Sequence, residues 1–241
     1  MIELKNLTKD YGTTLAVNRL SLDVAAGEIY GFIGPNGAGK TTTIRMMGGI
    51  IEPTAGSITI AGIDLRKDPV AAKKIIGFVP DRPFLYEKLT GMEFLKFIAD
   101  LYSVEAPYLF RRSEELLKQF ALWEWADEII EAYSHGMKQR LIIVAALLHD
   151  PKVMIIDEPM VGLDPEAVSM VKDILKGLAA QNVTIFVSTH TLSLAEDLCD
   201  RIGVIHKGTL LAQGSVSDLN LAAKTGEARL EEVFLTLVRE A

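Results

Sequence analysis

The chain has 241 residues, 49% hydrophobic and 24% charged, which excludes a disordered, collagen-like or disulfide-scaffold protein and allows one large domain or a core domain with a smaller insertion. With 25 Lys+Arg against 32 Asp+Glu the formal net charge is −7, which disfavours non-specific attraction to nucleic acid or anionic lipid, so any membrane attachment is expected through a partner. A single cysteine, Cys199, excludes an intramolecular disulfide, the apolar run Leu141 to Leu148 falls well short of the roughly 18 to 20 residues of a membrane helix, and Glu3, Lys5, Lys9 and Asp10 interrupt any signal-peptide core, so the reading is a cytoplasmic protein.

In chain order, Ile2 and Leu4, then Leu20, Leu22 and Val24, alternate with polar residues, and Ser57 to Gly62 repeats the pattern; these predict antiparallel strands with one wet face. Between them Ile29-Tyr30-Gly31-Phe32-Ile33 is apolar on both faces and leads through a Gly-rich turn to a helix beginning near Thr41, the pattern of a buried strand feeding a helix. From Thr90 to about Tyr133 the pattern is helical, opening on Thr90-Gly91-Met92-Glu93, a capping box, and continuing with apolar stripes at Leu95, Ile98, Ala99 and Tyr102 and at Leu116, Leu117 and Phe120. This segment reads as a helical insertion. Two-faced apolar runs return at Val153 to Ile156, Val183 to Val187 and Ile202 to Ile205, separated by helical spacing at Val168, Val171, Ile174, Leu175 and Leu178. The alternation predicts a mostly parallel sheet covered on both sides. Leu230, Val233, Phe234, Leu237 and Val238 predict a terminal helix that packs on the core or on another subunit.

The Gly-rich turn, Gly34-Pro35-Asn36-Gly37-Ala38-Gly39-Lys40-Thr41, fits G-x-x-x-x-G-K-[ST] in the required setting, after a buried strand and before a helix. Glycines let successive backbone N–H groups converge on an anion, and the helix start adds its positive dipole end. Lys40 is then expected at the β- and γ-phosphates of a nucleotide and the Thr41 hydroxyl at magnesium. No G-x-G-x-x-G is present, so a dinucleotide fold is not expected. A second element, Val153 to Pro159, ends a buried strand with Asp157 and Glu158, at the sheet end where folds of this class bind ligands. Asp157 is placed to hold magnesium, and Glu158 to accept a proton from, or orient, an attacking water.

These motifs, in this order over nearly the whole chain, resemble the ATP-binding cassette (ABC) ATPases. The resemblance implies an α/β fold with a RecA-like, mostly parallel P-loop NTPase core, an antiparallel β subdomain and an inserted helical subdomain. It places the antiparallel subdomain at 1–30 and 55–80, the insertion at 90–135, the core at 29–50 with 137–215, and a helical tail at 216–241. The long separation of Lys40 from Asp157 leaves room for the insertion. By the same resemblance ATP is held by Gly34, Pro35, Asn36, Gly37, Ala38, Gly39, Lys40, Thr41 and Thr42. Tyr11 matches the aromatic that stacks on adenine, although an exposed or packed loop tyrosine suits the position as well. Glu158 matches the catalytic carboxylate, and His190 the histidine that contacts the γ-phosphate. Asp164, in Gly162-Leu163-Asp164-Pro165, matches the loop that crosses a dimer, and Asp-Pro also suits an ordinary helix start. Tyr133-Ser134-His135-Gly136-Met137 matches the signature motif, whose Ser134 and Gly136 would cap the γ-phosphate held by a second cassette.

Two departures accompany the match. The signature has Tyr133, His135 and Met137 where L-S-G-G-Q is commonest, and Asp81 stands where most relatives have glutamine. Ionised, Asp81 only accepts hydrogen bonds and could approach Mg2+ through water, which would add it to Thr41 and Asp157 as a metal residue. The following Phe84, Leu85 and Tyr86 suit either the groove that receives a helix of a membrane subunit or a core-packing loop. The resemblance therefore implies an ATPase that powers transport, export in particular, through separate membrane-spanning permease subunits. It would act as a homodimer or as a heterodimer with a second ABC ATPase, peripheral on the cytoplasmic face of the membrane, with no nucleic-acid partner. The alternatives are a soluble ABC ATPase acting on ribosomes or DNA and a catalytically silent nucleotide sensor.

Overall fold

The computed structural model describes residues 1–239 except 83, 224 and 227. The chain opens on an antiparallel pair, β1 (Ile2–Asp10) and β2 (Leu15–Val24), and then enters β3 (Ile29–Ile33), all five residues of which are buried. The strand β3 leads through the Gly-rich turn into α1 (Lys40–Met47). Next come β4 (Ala55–Ile60), the short β5 (Ile63–Asp64), α2 (Pro69–Lys74) and β6 (Ile76–Val79). The helical stretch supplies α3 (Gly91–Tyr102) and α4 (Ala106–Gln119), two short 3-10 turns at Trp123–Trp125 and Ile130–Ala132, and α5 (His135–Leu147). The remainder alternates: β7 (Val153–Asp157), α6 (Pro165–Ala180), β8 (Thr184–Thr189), α7 (Leu192–Leu198), β9 (Arg201–His206) and β10 (Thr209–Gly214), followed by α8 (Val216–Ala223) and α9 (Leu230–Arg239).

Two sheets organise these elements. A four-stranded antiparallel sheet runs β2-β1-β4-β5, and a six-stranded sheet runs β10-β9-β3-β8-β7-β6, parallel except for β10. Two-faced apolar strands are what a sheet covered on both sides requires. In β7, Met154 and Ile156 face the cluster that contains α5 and the helical insertion, whereas Val153 and Ile155 face the cluster shared with α1 and the antiparallel sheet. A third cluster seats α7, α8 and α9 on β9 through Ala195, Leu219, Leu230 and Val233. The terminal helix therefore packs on its own core. No helix among the described residues is long and apolar enough to cross a membrane.

The capping box is present as drawn from sequence: the Glu93 amide donates to the Thr90 hydroxyl at 3.1 Å and the Thr90 amide to the Glu93 carboxylate at 2.8 Å, satisfying two donors at the start of α3. Helix α5 shows no apolar stripe in sequence because it is buried nearly all round, between the insertion and the sheet.

One boundary needs correction. The sequence reading gave 55–80 to the antiparallel unit, yet β6 pairs parallel with β7, Ile76 beside Val153 and Val79 beside Ile156, as the edge of the large sheet. The reason lies at Gly77, where a Cβ would stand 2.3 Å from Met154 Sδ and 2.6 Å from the Ala146 carbonyl; only the missing side chain lets this strand lie against β7 and α5. β3 belongs wholly to the large sheet, so of the two overlapping ranges at 29–30 the core range 29–50 is the one that fits. The last two residues of the 216–241 tail lie outside the described residues.

Candidate functional site

A cleft of about 600 Å³ opens at the C-terminal ends of β3 and β7. Its floor is the turn 36–42, and Asp81, Asp157, Glu158 and His190 line one side. Thr14 of the β1–β2 turn, Leu15 and Ala16 at the start of β2, Val161 and Lys207 also line it.

The turn is rigidly seated. Gly39 has φ 108°, and a Cβ there would meet the Ala16 carbonyl at 2.4 Å, so only glycine takes this conformation so near the first hairpin. The Ala38 amide donates to Pro35 O at 3.1 Å, and Gly208, in the β9–β10 turn, donates to Ala38 O at 2.9 Å. Helix α1 has no side-chain N-cap. Its first amides and dipole are thus available to an anion at the turn.

Lys40 is 7% exposed and donates to the carbonyls of Gly34 at 2.7 Å and Pro35 at 3.3 Å. Burial lowers its pKa, while the charges of Glu158 and Asp157 pull it back up. Gly34 and Pro35 thereby serve the cation, and neither lines the cleft. Asp157 ends β7 and is 2% exposed; the Ser188 hydroxyl hydrogen-bonds to it, and the Thr41 hydroxyl lies near enough to favour its charged form. Its pKa is raised, chiefly by burial, with the charges of Asp81 and Glu158 acting in the same direction and the two hydroxyls opposing.

Glu158 adopts φ 53°, a strained conformation for a residue with a side chain. Its amide donates to Ser188 O at 3.0 Å, its Oε2 accepts from Thr189 Oγ1 at 3.1 Å, and its Oε1 lies 2.7 Å from His190 Nδ1. The strain and the two side-chain partners fix the carboxylate at the cleft wall. Sequence reading placed Glu158 and His190 separately and missed the pair they form, together with Ser188, Thr189 and Lys207. The available signal was the parallel register: Asp157 lies beside Ser188, so polar residues ending β8 meet the acids ending β7.

The donor set suits a hard cation shared with phosphates. Thr41, Asp157 and Asp81 offer oxygen only, and the mutual repulsion acting on Asp157 favours added positive charge. Among the described residues no group of three or more His, Cys, Asp or Glu is placed to hold a metal ion.

The remaining sequence-predicted residues lie elsewhere. Tyr11 does not line the cleft; it is 54% exposed with Lys9 Nζ 5.1 Å from its ring centroid. Ser134 caps α5 by accepting from the Met137 amide at 3.2 Å, and Asp164 caps α6 by accepting from Ala167 at 2.9 Å. Ser134 and Asp164 are exposed and Gly136 is half-buried; none of the three lines the cleft, and a Cβ on Gly136 would stand 3.3 Å from Gly162 O.

A second concavity, about 1070 Å³, is lined by Phe84, Leu85, Tyr86, Phe97, His135 and Lys138 among others. Phe84 is 78% exposed, and Phe84, Tyr86 and Phe97 meet edge to face at 5.5 and 5.2 Å. Phe84 and Tyr86 are exposed along this concavity, whereas Leu85 packs partly against the main core cluster, so the segment is part groove and part core-packing loop.

Comparison with known proteins agrees with this geometry. The ABC transporter family model matches residues 17–161. The linearmycin resistance ATP-binding protein LnrL of Bacillus subtilis (strain 168) is 39% identical over 241 residues, spanning all of this chain and 77% of that protein. A solved ATP-binding subunit of an ABC transporter superposes with a TM-score of 0.93 at 34% identity, covering 98% of this chain and 99% of that one. The dimeric cassette MJ0796, in a post-hydrolysis state bound to ADP and Pi, superposes at 0.81 with 28% identity over 90% of this chain and 99% of that one.

Proposed function

The chain belongs to the ABC transporter family as an ATP-binding, ATP-hydrolysing subunit, and from that premise we propose how its residues divide the work. The turn 34–42 cradles the triphosphate with backbone amides, and Lys40 leaves its own carbonyls for the β- and γ-phosphates. Thr41 and Asp157, with Asp81 beside them, hold magnesium; when bound, it neutralises charge on the phosphate oxygens. Glu158 orients a water toward the γ-phosphorus and accepts its proton as the bond to the β-phosphate oxygen breaks, giving ADP and inorganic phosphate. His190 and Thr189 keep that carboxylate aimed.

The observation that supports the reading is that the residues proposed here as phosphate ligands fall in two separate sets. The cleft holds one set, while Ser134, Gly136 and Asp164 stand at two helix starts on another face. A second cassette, whether another copy or a relative, supplies its Ser134 and Gly136 face to the γ-phosphate, and each chain completes the other's site. ATP then stabilises the closed pair, hydrolysis removes the γ-phosphate contacts, and the pair opens. The groove at Phe84 and Tyr86 receives a short helix of a membrane-spanning permease subunit, which holds the protein at the cytoplasmic face of the membrane. The name of the relative, a resistance protein, supports export as the direction of transport.

Replacing Phe84 and Tyr86 together by Ser tests the partner. Affinity purification from detergent-solubilised membranes is expected to recover a multi-span membrane protein, identified by mass spectrometry, with the unaltered chain and about tenfold less with the double variant. Equal recovery by both chains, or recovery with ribosomes or DNA instead, contradicts the reading.

A further inference from the structure

The loop between Glu158 and α6 is held mainly from outside. Its own hydrogen bonds are long, Val161 N to Glu158 O at 3.4 Å and Leu163 N to Met160 O at 3.3 Å, and Glu158 and Gly162 both have left-handed backbones, at φ 53° and 78°. Support comes from the tip of α5. The His135 imidazole lies so close to Gly162 that a Cβ there would stand 2.1 Å from its Cδ2 and 2.7 Å from its Nε2. One residue further on, a Cβ at Gly136 would stand 3.5 Å from Leu163 Cδ2. His135 also lines the apolar groove with Phe84, Tyr86 and Lys138, and it does not line the nucleotide cleft. One side chain therefore borders the groove and, at the same time, the loop that carries Glu158.

We propose that His135 is a positioning residue: its ring braces Gly162, fixes the loop that begins at Glu158, and passes a change in the groove to that carboxylate. The contact works by bulk. Gly162 has no side chain to interlock with α5, so the ring supplies the volume that sets the spacing of loop and helix. A body entering the groove presses on the same ring, which is exposed there and abuts Gly162 on its other side, so a displacement of the ring shifts the loop. The inference rests on the reading of Glu158 as the catalytic carboxylate.

The test uses the full chain and the variants His135→Ala and His135→Phe. Without nucleotide, amide hydrogen exchange across 160–164 is expected to rise at least about threefold in His135→Ala. Its kcat is expected to fall about three- to tenfold with KM for ATP and melting temperature retained, and His135→Phe restores both exchange and kcat to within about twofold. Unchanged exchange and turnover in His135→Ala overturn the proposal. So does a folded His135→Phe chain as impaired as His135→Ala, since the ring nitrogens would then act chemically. To test transmission, Phe84→Cys is introduced together with Cys199→Ala, which removes the half-buried native thiol, and is labelled with a bulky maleimide. The label should change exchange across 160–164 in the chain with His135 and not in the one with His135→Ala, and an equal change in both contradicts the route. Turnover insensitive to Glu158→Gln would refute the underlying reading of the site, while the exchange comparison still decides the contact.

Discussion

Replacing Glu158 by Gln is expected to lower ATP turnover by about 10²- to 10⁴-fold, the contribution of a positioned general base, while ATP binding persists. The substitution is nearly isosteric. The amide oxygen can still accept from Thr189, and His190 keeps a polar neighbour at the position of Oε1, so the loop geometry survives. What is lost is the capacity to take a proton from water. One negative charge also leaves a cleft in which Asp157, Asp81 and Glu158 repel one another, which favours retention of a polyanion. The variant should therefore accumulate as an ATP-held pair, seen by phosphate release together with sedimentation in the presence of ATP. Unaltered turnover would refute Glu158 as the catalytic carboxylate.

Lys40→Ala should raise the dissociation constant for ATP about 10- to 100-fold, the loss expected for a buried, charge-assisted contact to phosphate. The charges of Glu158 and Asp157 act on Lys40, holding its pKa up against the burial that lowers it. Without Lys40, the same carboxylates face the incoming phosphates uncompensated. The carbonyls of Gly34 and Pro35 lose their donor as well, so a modest loss of stability should accompany the loss of binding. Titration calorimetry with ATP measures the affinity directly, and an unchanged dissociation constant would contradict the assignment.

The legible parts of the molecule were those whose signal is local. β3 and β7 announce themselves as runs apolar on both faces, and α3 begins at a capping box that satisfies its own donors. The Gly-rich turn carries its chemistry in eight consecutive residues. The harder parts depend on which strands become neighbours. β6 looked like part of the first sheet because it follows β4 and β5 in the chain, and only the close approach permitted by Gly77 sends it to β7. The Glu158–His190 pair needs β7 and β8 side by side in register, a fact written in no single segment. Lys207 enters the cleft because the β9–β10 turn is tied to Ala38, again a pairing of distant stretches. Tyr11, for which the motif position left adenine stacking and an exposed loop tyrosine both open, is exposed and does not line the cleft.

The exchange of sites between two chains can be tested by mixing. A Lys40→Ala chain lacks the lysine of its own cleft. A Ser134→Asp chain keeps a good cap on α5 but sets a carboxylate where the neighbouring γ-phosphate must approach. Each alone should release little phosphate. A mixed pair contains one complete site, formed by the cleft of the Ser134→Asp chain and the Ser134 of the Lys40→Ala chain. Phosphate release from an equal mixture should therefore rise well above the sum of the two chains measured apart. A mixture no faster than that sum, or a Ser134→Asp chain as active alone as the unaltered protein, would show that each cleft works without the helix tip of a second cassette.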